Sequence, residues 1–557
     1  MRQRVPCRPL LTLFSCLILL TGPGIAVAHQ ATPAPAATPV EAGGEWWHDA
    51  VCYEVFVRSF YDSDGDGIGD INGLIESLDY LNDGTDETDG RDLGVDCIWL
   101  MPVFESTSYH GYDVVDYQRI DEDYGTNEDF ARLVAEAERR GIRIILDLVL
   151  NHTSRDHPWF QEALGDPDSP YRDYYIWSDE KPDYKGPWGQ EVWHTSPVAD
   201  EYYYGIFWEG MPDLNYRNPD VTAFAEETTE FWLTEMGVDG FRLDAIKHLI
   251  EDGPVQENTP ETHDWLRGYG AFVESVAPDA LTVGEIFGAT PSVLTPYFPD
   301  QLDSYFLFQI GETLHAAANF GQAGPFVTAV ERAVDGLPDQ RFAPFLTNHD
   351  QTRSMTLLEN VDEAKVAALA LLTLPGIPFI YYGEEIGMTG TKPDERLRTP
   401  MQWTGEATGG FTTGTPWEPL QPNAAEVNVA AQEDDPESLL NHYRRLIHLH
   451  RAHPALRHGD FTPLEASERT VAAYLRQTDD EAILVVINFG KEPVDGATLS
   501  ADASGLAAGA YQGVPLFGDH GAEMLTVEDG GAMTGYLPLP TLAPTTGYVF
   551  ALTASPS

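Results

Sequence analysis

The chain has 557 residues, 43% of them hydrophobic and 11% aromatic, which suits a large packed core and excludes a disordered or fibrous protein. Against 32 Lys and Arg stand 89 Asp and Glu, a formal net charge of −57, and such a surface excludes nucleic acid and anionic membranes as partners. A chain that repels itself so strongly is relieved by screening, so tolerance of high salt is expected.

Arg2, Arg4 and Arg8 precede an apolar run over 10–20 and the small-residue trio Ala26-Val27-Ala28. A charged segment, an apolar segment too short to span a bilayer and a small-x-small site predict a secretory signal peptide over 1–28. The mature protein is therefore expected to be secreted, extracellular or periplasmic. Residues 29–44 read as a Pro/Ala/Thr linker with no core of their own. Cys7 and Cys16 leave with the signal. Cys52 and Cys97 stay, each in an apolar run, and buried free thiols are the expectation; export leaves a disulfide open.

From Trp46 onward, short apolar runs alternate with helix-length segments. Strands are predicted at 51–57, 96–101, 142–150, 238–243, 281–285, 304–308, 342–346 and 377–382, with helices over 71–81, 129–140 and 222–235. Fully apolar strands separated by helices need a parallel sheet covered on both faces. Eight such units favour a closed (β/α)8 TIM barrel over an open sheet. The connection over 156–216, rich in Tyr, Trp, Asp and Pro, is too long for an ordered loop. It predicts an inserted subdomain over 153–217, after the third strand, splitting the barrel into 45–152 and 218–458. A helix over 436–450 precedes alternating strands at 471–476, 483–489 and 547–552, which predict a C-terminal antiparallel β-sandwich domain over 459–557. A monomer is expected.

The loop Asp62-Ser-Asp64-Gly-Asp66-Gly-Ile68-Gly-Asp70 has acids at loop positions 1, 3, 5 and 9 and Gly at 6. That is the oxygen-rich, tightly turned front of a calcium loop. Position 12 is Gly73 and not the bidentate glutamate of an EF-hand, so an EF-hand is excluded.

Active sites of such barrels gather at the C-terminal ends of the strands. Those ends carry Asp147 with Asn151 and His152, Arg242 with Asp244, Glu285, and Asn348-His349-Asp350, while Tyr112-Asp113 lies after the second strand. Arg242 and Asp244 are two apart, hence on one face of a strand, and the guanidinium favours the ionised carboxylate. Crowded carboxyls drive their pKa values apart and yield an acid and a base from one residue class. Two carboxyls across a cleft with aromatics nearby suit glycoside cleavage.

Asp147-Leu-Val-Leu-Asn-His152, Gly240-Phe-Arg-Leu-Asp244, Gly284-Glu285 and Asn348-His349-Asp350 match, in order and spacing, the four signature regions of the α-amylase superfamily. The chain resembles these retaining glycoside hydrolases of family 13 over nearly everything past residue 46. The resemblance implies Asp244 as nucleophile, Glu285 as general acid/base and Asp350 as the carboxylate that fixes and distorts the sugar. It also implies His152 and His349 as donors to that sugar's hydroxyls, Tyr112 as its stacking platform and Arg242 as the partner that keeps Asp244 ionised. Asp62, Asp64, Asp66, the Ile68 carbonyl and Asp70 are the implied Ca²⁺ ligands. Many amylases hold a second calcium near Asn151, bridging to the insert; its presence here and its partner acids are left open by the sequence.

Met211-Pro-Asp-Leu-Asn215 resembles a signature of the group intermediate between oligo-1,6-glucosidases and neopullulanases, and Arg398-Thr-Pro-Met-Gln-Trp403 resembles the oligo-1,6-glucosidases. Those exo-acting relatives close the pocket with an aspartate three residues before the stacking tyrosine, where this chain has Tyr109. Ala245 in place of Val after the nucleophile points to α-1,4 bonds. Lys247 and His248 resemble the amylase pair on the leaving-group side, and Asp394 with Arg398 resembles an Asp–Arg pair that grips the sugar. The expectation is an open cleft with endo action on starch-like α-glucans. A cyclomaltodextrinase, neopullulanase or glucanotransferase shares these residues and is the alternative; a non-catalytic sugar- or protein-binding relative would not need Asp244, Glu285 and Asp350 intact.

Overall fold

The computed structural model describes residues 45–85 and 91–555; the signal peptide and linker expected over 1–44 lie outside the described residues. Seven short strands pair in parallel: Cys52–Val55, Cys97–Leu100, Arg143–Leu148, Gly240–Leu243, Leu281–Gly284 and Ser304–Tyr305 in chain order, with Phe379–Tyr381 beside the first. Residues 343–345 take the remaining place through parallel bridges from Ala343 to Phe306 and from Phe345 to Phe379. The sheet thus closes with eight positions, as the alternation of apolar runs and helices predicts.

Strand alternation decides what fills this barrel. Cys52, Cys97, Trp99, Ile145, Leu281 and Val283 point inward, with Phe306, Phe345 and Phe379. Their neighbours Tyr53, Ile98, Leu100, Ile144, Leu146, Phe241 and Leu243 point outward into a core shared with the helices. Both faces are dry, which is why these runs carry no polar alternation. Followed toward the C-terminal ends, the inward register runs from Cys52 to Glu54, from Ile145 to Asp147, from Gly240 through Arg242 to Asp244, and from Val283 to Glu285. One face is therefore apolar at the bottom and charged at the top.

Cys52 and Cys97 are register partners on adjacent inward-facing strands, with Cα atoms 4.4 Å apart, and form a disulfide in place of the expected free thiols. Adjacency of the first two strands follows from the fold, but their register is not visible in either apolar run alone.

Helix Asn127–Glu138 starts on a capping box between Thr126 and Asp129. The helix predicted over 71–81 is two, Ile71–Glu76 and Leu78–Leu81, separated at Ser77, whose hydroxyl donates to the Gly73 carbonyl at 2.9 Å. Between the third and fourth barrel strands lies an antiparallel three-stranded sheet of Trp177–Ser178, Tyr202–Tyr204 and Trp193–Thr195. Its own small core is Val192, Trp193, Tyr204 and Ile206, which explains the aromatic richness of a segment too short to bury many side chains.

Eight of the C-terminal strands form one antiparallel sheet, and Val494–Asp495 pairs with Thr541–Leu542 apart from it. It curls until its ends approach, where the Tyr536 hydroxyl donates to the Glu523 carbonyl at 2.8 Å. Leu475, Leu484, Val486 and Phe550 fill the inside of the curl. Tyr474, Ile483, Val485 and Val549, on the opposite face of the same strands, join the barrel's helical core. No described helix is long and apolar enough to cross a membrane.

Candidate active site

The charged top of the inward register is organised by one arginine. Arg242 Nη1 lies 2.7 Å from Asp147 Oδ1 and 2.7 Å from Asp244 Oδ1, and its Nη2 lies 3.0 Å from Glu285 Oε2. Asp147 and Arg242 are register partners on neighbouring strands, so the pairing is fixed by backbone and not by a flexible reach. After Asp244 the chain reverses at Ala245, which takes the left-handed conformation (φ 49°) that a non-glycine residue adopts at a cost of about 1 kcal/mol. The turn aims the Ala245 N–H at Glu285 Oε2, 3.3 Å away.

Across the cleft the Asp350 carboxylate accepts from Arg398 Nη2 at 2.8 Å and faces His349 Nε2 at 3.3 Å. The other ring nitrogen of His349 lies 2.5 Å from Glu54 Oε1. The Tyr112 hydroxyl donates to Asp147 Oδ2 at 3.0 Å and meets His349 Nε2 at 2.7 Å. A cavity of about 600 Å³ opens above these groups, lined by Tyr112, His152, Asp244, Glu285, Asp350, Lys247, His248, Asp394 and Arg398 among others.

Burial pushes the Asp244 carboxyl up, while Arg242 pulls it back down and Glu285 adds to the rise. Asp147 is driven up to about 7, again by burial and against Arg242. Desolvation works against the charge of Asp350 too, but His349 and then Arg398 outweigh it and hold this carboxyl well below the usual range. Burial opposes the charge of His349, yet Asp350 and Glu54 raise it to about 10. Carboxyls within one cleft thus differ in their hold on a proton, which is what paired acid and base chemistry requires.

The remaining residues singled out from sequence fall as follows. His152 is buried, with its Nε2–H donated to the Tyr112 carbonyl at 3.1 Å and its pKa lowered by burial. Lys247 pairs with Glu257 at 2.9 Å, and His248 donates from Nδ1 to the Gln256 carbonyl at 2.7 Å. Asp394 and Arg398 both line the cavity; Lys392 binds the Asp394 carboxylate and Arg398 turns inward to Asp350. The two residues meet only through the backbone, Arg398 N donating to Asp394 O at 3.2 Å.

Sequence reasoning missed two features. Glu54 is the one charged residue in its apolar run, and alternation from Cys52 places it on the inward face; both signals were in the sequence. Trp188, Phe207, Trp208 and Phe287 also line the cavity, and Trp188, Trp208 and Phe287 are each about half exposed. Only the aromatic content of the insert hinted at the first three, and nothing at Phe287, which follows the strand Leu281–Gly284.

At the calcium-like loop, one carboxylate oxygen each of Asp62, Asp64 and Asp70 lie within 4.8 Å of one another. An all-oxygen donor set of this kind fits a hard divalent cation. Asp66 stands outside that group; it is exposed and accepts from the Ile68 N–H at 2.8 Å. Near Asn151, the buried atoms Asn151 Oδ1, Asp213 Oδ2, Tyr204 OH and Gln256 Nε2 lack protein partners. Burial pushes Asp213 well up and Glu251 up to about 7. The unpaired oxygens there would suit a cation joining the third strand's end to the insert.

Comparison with known proteins agrees with this geometry. Residues 54–459 match the family described as "Alpha amylase, catalytic domain". The chain is 41% identical to alpha-amylase 3 of Dictyoglomus thermophilum, over 80% of this chain and 86% of that protein. It is 34% identical to the oligo-1,6-glucosidase of Parageobacillus thermoglucosidasius, over 81% of this chain and 91% of that one. The crystal structure of an alpha-amylase from H.orenii superposes with a TM-score of 0.77 at 41% identity, covering 90% of this chain and 99% of that one. The chain belongs to the α-amylase family, the retaining glycoside hydrolases of family 13.

Proposed function

We propose that this enzyme is a secreted α-amylase that hydrolyses internal α-1,4 bonds of starch-like glucans with retention. The observation that carries the reading is the bridging of Asp244 and Glu285 by the single guanidinium of Arg242, at 2.7 and 3.0 Å. Two carboxyls held this way stand within the reach that double displacement needs. Asp244 attacks the anomeric carbon as Glu285 passes its proton to the departing glycosidic oxygen, and a glycosyl ester forms on Asp244. Glu285, now a carboxylate, takes a proton from water; the oxygen attacks the same carbon, and Asp244 leaves. Asp350, pinned by Arg398 and His349, binds the hydroxyls of the sugar being cleaved.

Charge supports the same reading. Glu54, Asp147, Asp244, Glu285 and Asp350 face Arg242, His349 and Arg398. With Glu285 protonated the site is net negative while Asp147, driven up to about 7, is ionised, and that field favours an oxocarbenium-like transition state.

Endo action is supported by Tyr109, which stacks on Trp417 with centroids 5.3 Å apart and lies under Arg398, so that no aspartate closes the cleft there. The exposed aromatics on the insert offer sugar faces beyond the bond being cut. Export is supported by the N-terminal leader pattern and by the disulfide. Asp62, Asp64 and Asp70 are the residues that would hold Ca²⁺, and a cation there would brace the loop against residue 412, whose hydroxyl binds Asp62.

Digestion of starch, pullulan and cyclodextrin, followed by viscosity and product chain length, tests the reading. Starch viscosity should collapse while few reducing ends have formed. Release of glucose alone from chain ends, or preference for cyclodextrin or pullulan over starch, would replace endo-amylase with the neighbouring specificities.

A further inference from the structure

We propose that Glu54 is a positioning residue for catalysis: by fixing a proton on each ring nitrogen of His349, it keeps Nε2–H a donor to the Tyr112 hydroxyl and the ring a cation beside Asp350. This rests on the reading of Asp350 as the carboxylate that binds the sugar being cleaved.

Glu54 sits on the first barrel strand, nine-tenths or more buried, in the inward register of Cys52. Its Oε1 faces His349 Nδ1 at 2.5 Å, on the side of the ring away from Asp350. At the other end, Nε2 meets the Tyr112 hydroxyl at 2.7 Å and Asp350 Oδ2 at 3.3 Å. A carboxylate only accepts, so Nδ1 against Glu54 must carry hydrogen. While Asp147 is ionised the Tyr112 hydroxyl spends its own hydrogen on that carboxylate at 3.0 Å, so it too accepts from the ring. Both nitrogens are therefore donors, and the ring is an imidazolium. The other groups facing it are consistent with that charge: Asp147 attracts it through Tyr112, Arg242 sits behind Trp99 and Tyr112, and Arg398 donates from Nε to the His349 carbonyl at 3.1 Å.

Removing the charge of Glu54 while keeping its shape exposes the role. In Glu54→Gln the amide oxygen still accepts from Nδ1–H, so the ring need not move. Nothing then holds the second proton against burial. Above the new midpoint Nε2 presents a lone pair to the Asp350 carboxylate, and the Tyr112 hydroxyl is drawn away from Asp147 to donate to the ring. Asp350 loses a cationic neighbour and faces a lone pair instead, so the sugar is gripped in the wrong geometry.

The test is the pH profile of kcat/KM on starch for Glu54→Gln beside the wild type, together with ring ¹⁵N shifts in protein labelled with ¹⁵N-histidine, His349 being assigned by its loss in His349→Gln. In the wild type the ring should remain imidazolium through neutral pH. In the variant it should titrate at or below about 6.5, the ordinary histidine value. The variant's kcat/KM should approach wild type at the acid end and fall about tenfold per pH unit above that midpoint. A uniform loss with the wild-type profile shape would mean a merely structural role, and a neutral His349 in the wild type at pH 7 (read on the unmodified enzyme even if the variant does not fold) would overturn the proposal. The ring shifts do not depend on activity, whereas retention of starch hydrolysis by Asp244→Asn would overturn the catalytic reading instead, so the two failures are distinguishable.

Discussion

The guanidinium of Arg398 binds Asp350 at 2.8 Å and leaves Asp394, four residues earlier, to Lys392. Four-residue spacing brings side chains together only on a continuing helix. Here the helical turn covers Asp394–Arg396 and ends before Arg398, which is buried while Asp394 stays at the rim. Arg398→Ala should therefore remove a charge partner of Asp350 and lower kcat/KM on starch by ~2 kcal/mol, about thirtyfold. Asp394→Asn should change it only a few-fold. Equal losses in the two variants would mean that Asp394 serves the sugar as much as Arg398 does.

Glu384 lies behind the eighth strand, its carboxyl accepting from the Tyr443 hydroxyl at 2.9 Å. Burial pushes it up to about 8. The folded state therefore keeps a proton that the unfolded chain releases near its ordinary value of 4.5. The folded protein binds more protons between these limits, so stability falls as pH rises from about 4.5 to about 8 and the loss levels off above. Glu384→Gln keeps the hydrogen bond from Tyr443 without the titration. Its Tm should fall less steeply than that of the wild type across this window, and parallel curves would place the titrating group elsewhere.

What the sequence made legible was set by periodicity. The eight strands are short and apolar on both faces, and the residues that end them, Asp147, Asp244 and Glu285, are conspicuous because they interrupt such runs. Register was not legible: neither the Cys52–Cys97 bond nor the Asp147–Arg242 pairing is visible until adjacent strands are aligned. Partners arriving from outside the barrel were equally hidden. Trp188 and Phe207 lie in an insert whose strands are two or three residues long, too short for any periodic signal.

The Asp62–Asp64–Asp70 group predicts a stability that depends on divalent cation. With no cation, three carboxylates within 4.8 Å repel one another. Chelation should lower the Tm, and added Ca²⁺ should restore it more effectively than Mg²⁺, which tolerates only near-octahedral sites. Asp64→Asn should reduce the response, and Asp66→Asn should reduce it less because that side chain lies outside the group. A Tm indifferent to chelator would remove calcium from this loop.

The disulfide joins residues 45 apart in sequence, and a loop of that size is worth roughly 4 kcal/mol through the unfolded chain. Cys52→Ala with Cys97→Ala should lower the Tm without changing kcat/KM at 25 °C, since both cysteines pack with the apolar bottom of the barrel. Reductant added to the folded enzyme should do little, because both sulfurs are buried. Rapid inactivation by mild reductant would contradict that burial.

Trp188 stacks on Phe207 with centroids 5.8 Å apart and an interplanar angle of 25°, and meets His248 edge-on at 5.6 Å. About half of its surface is still exposed at the cavity. An exposed indole backed by a second ring is a poor contributor to folding but a preorganised face for a sugar. Trp188→Ala should leave the Tm nearly unchanged and weaken binding of long glucans by ~1.4 kcal/mol, about tenfold in KM. Short oligosaccharides that span only the sugars on either side of the cleaved bond should be hydrolysed as before. Comparing starch with maltotriose separates the two cases: an equal penalty on both would put Trp188 against the sugar being cleaved, and no penalty on either would leave the insert without a part in substrate binding at this residue.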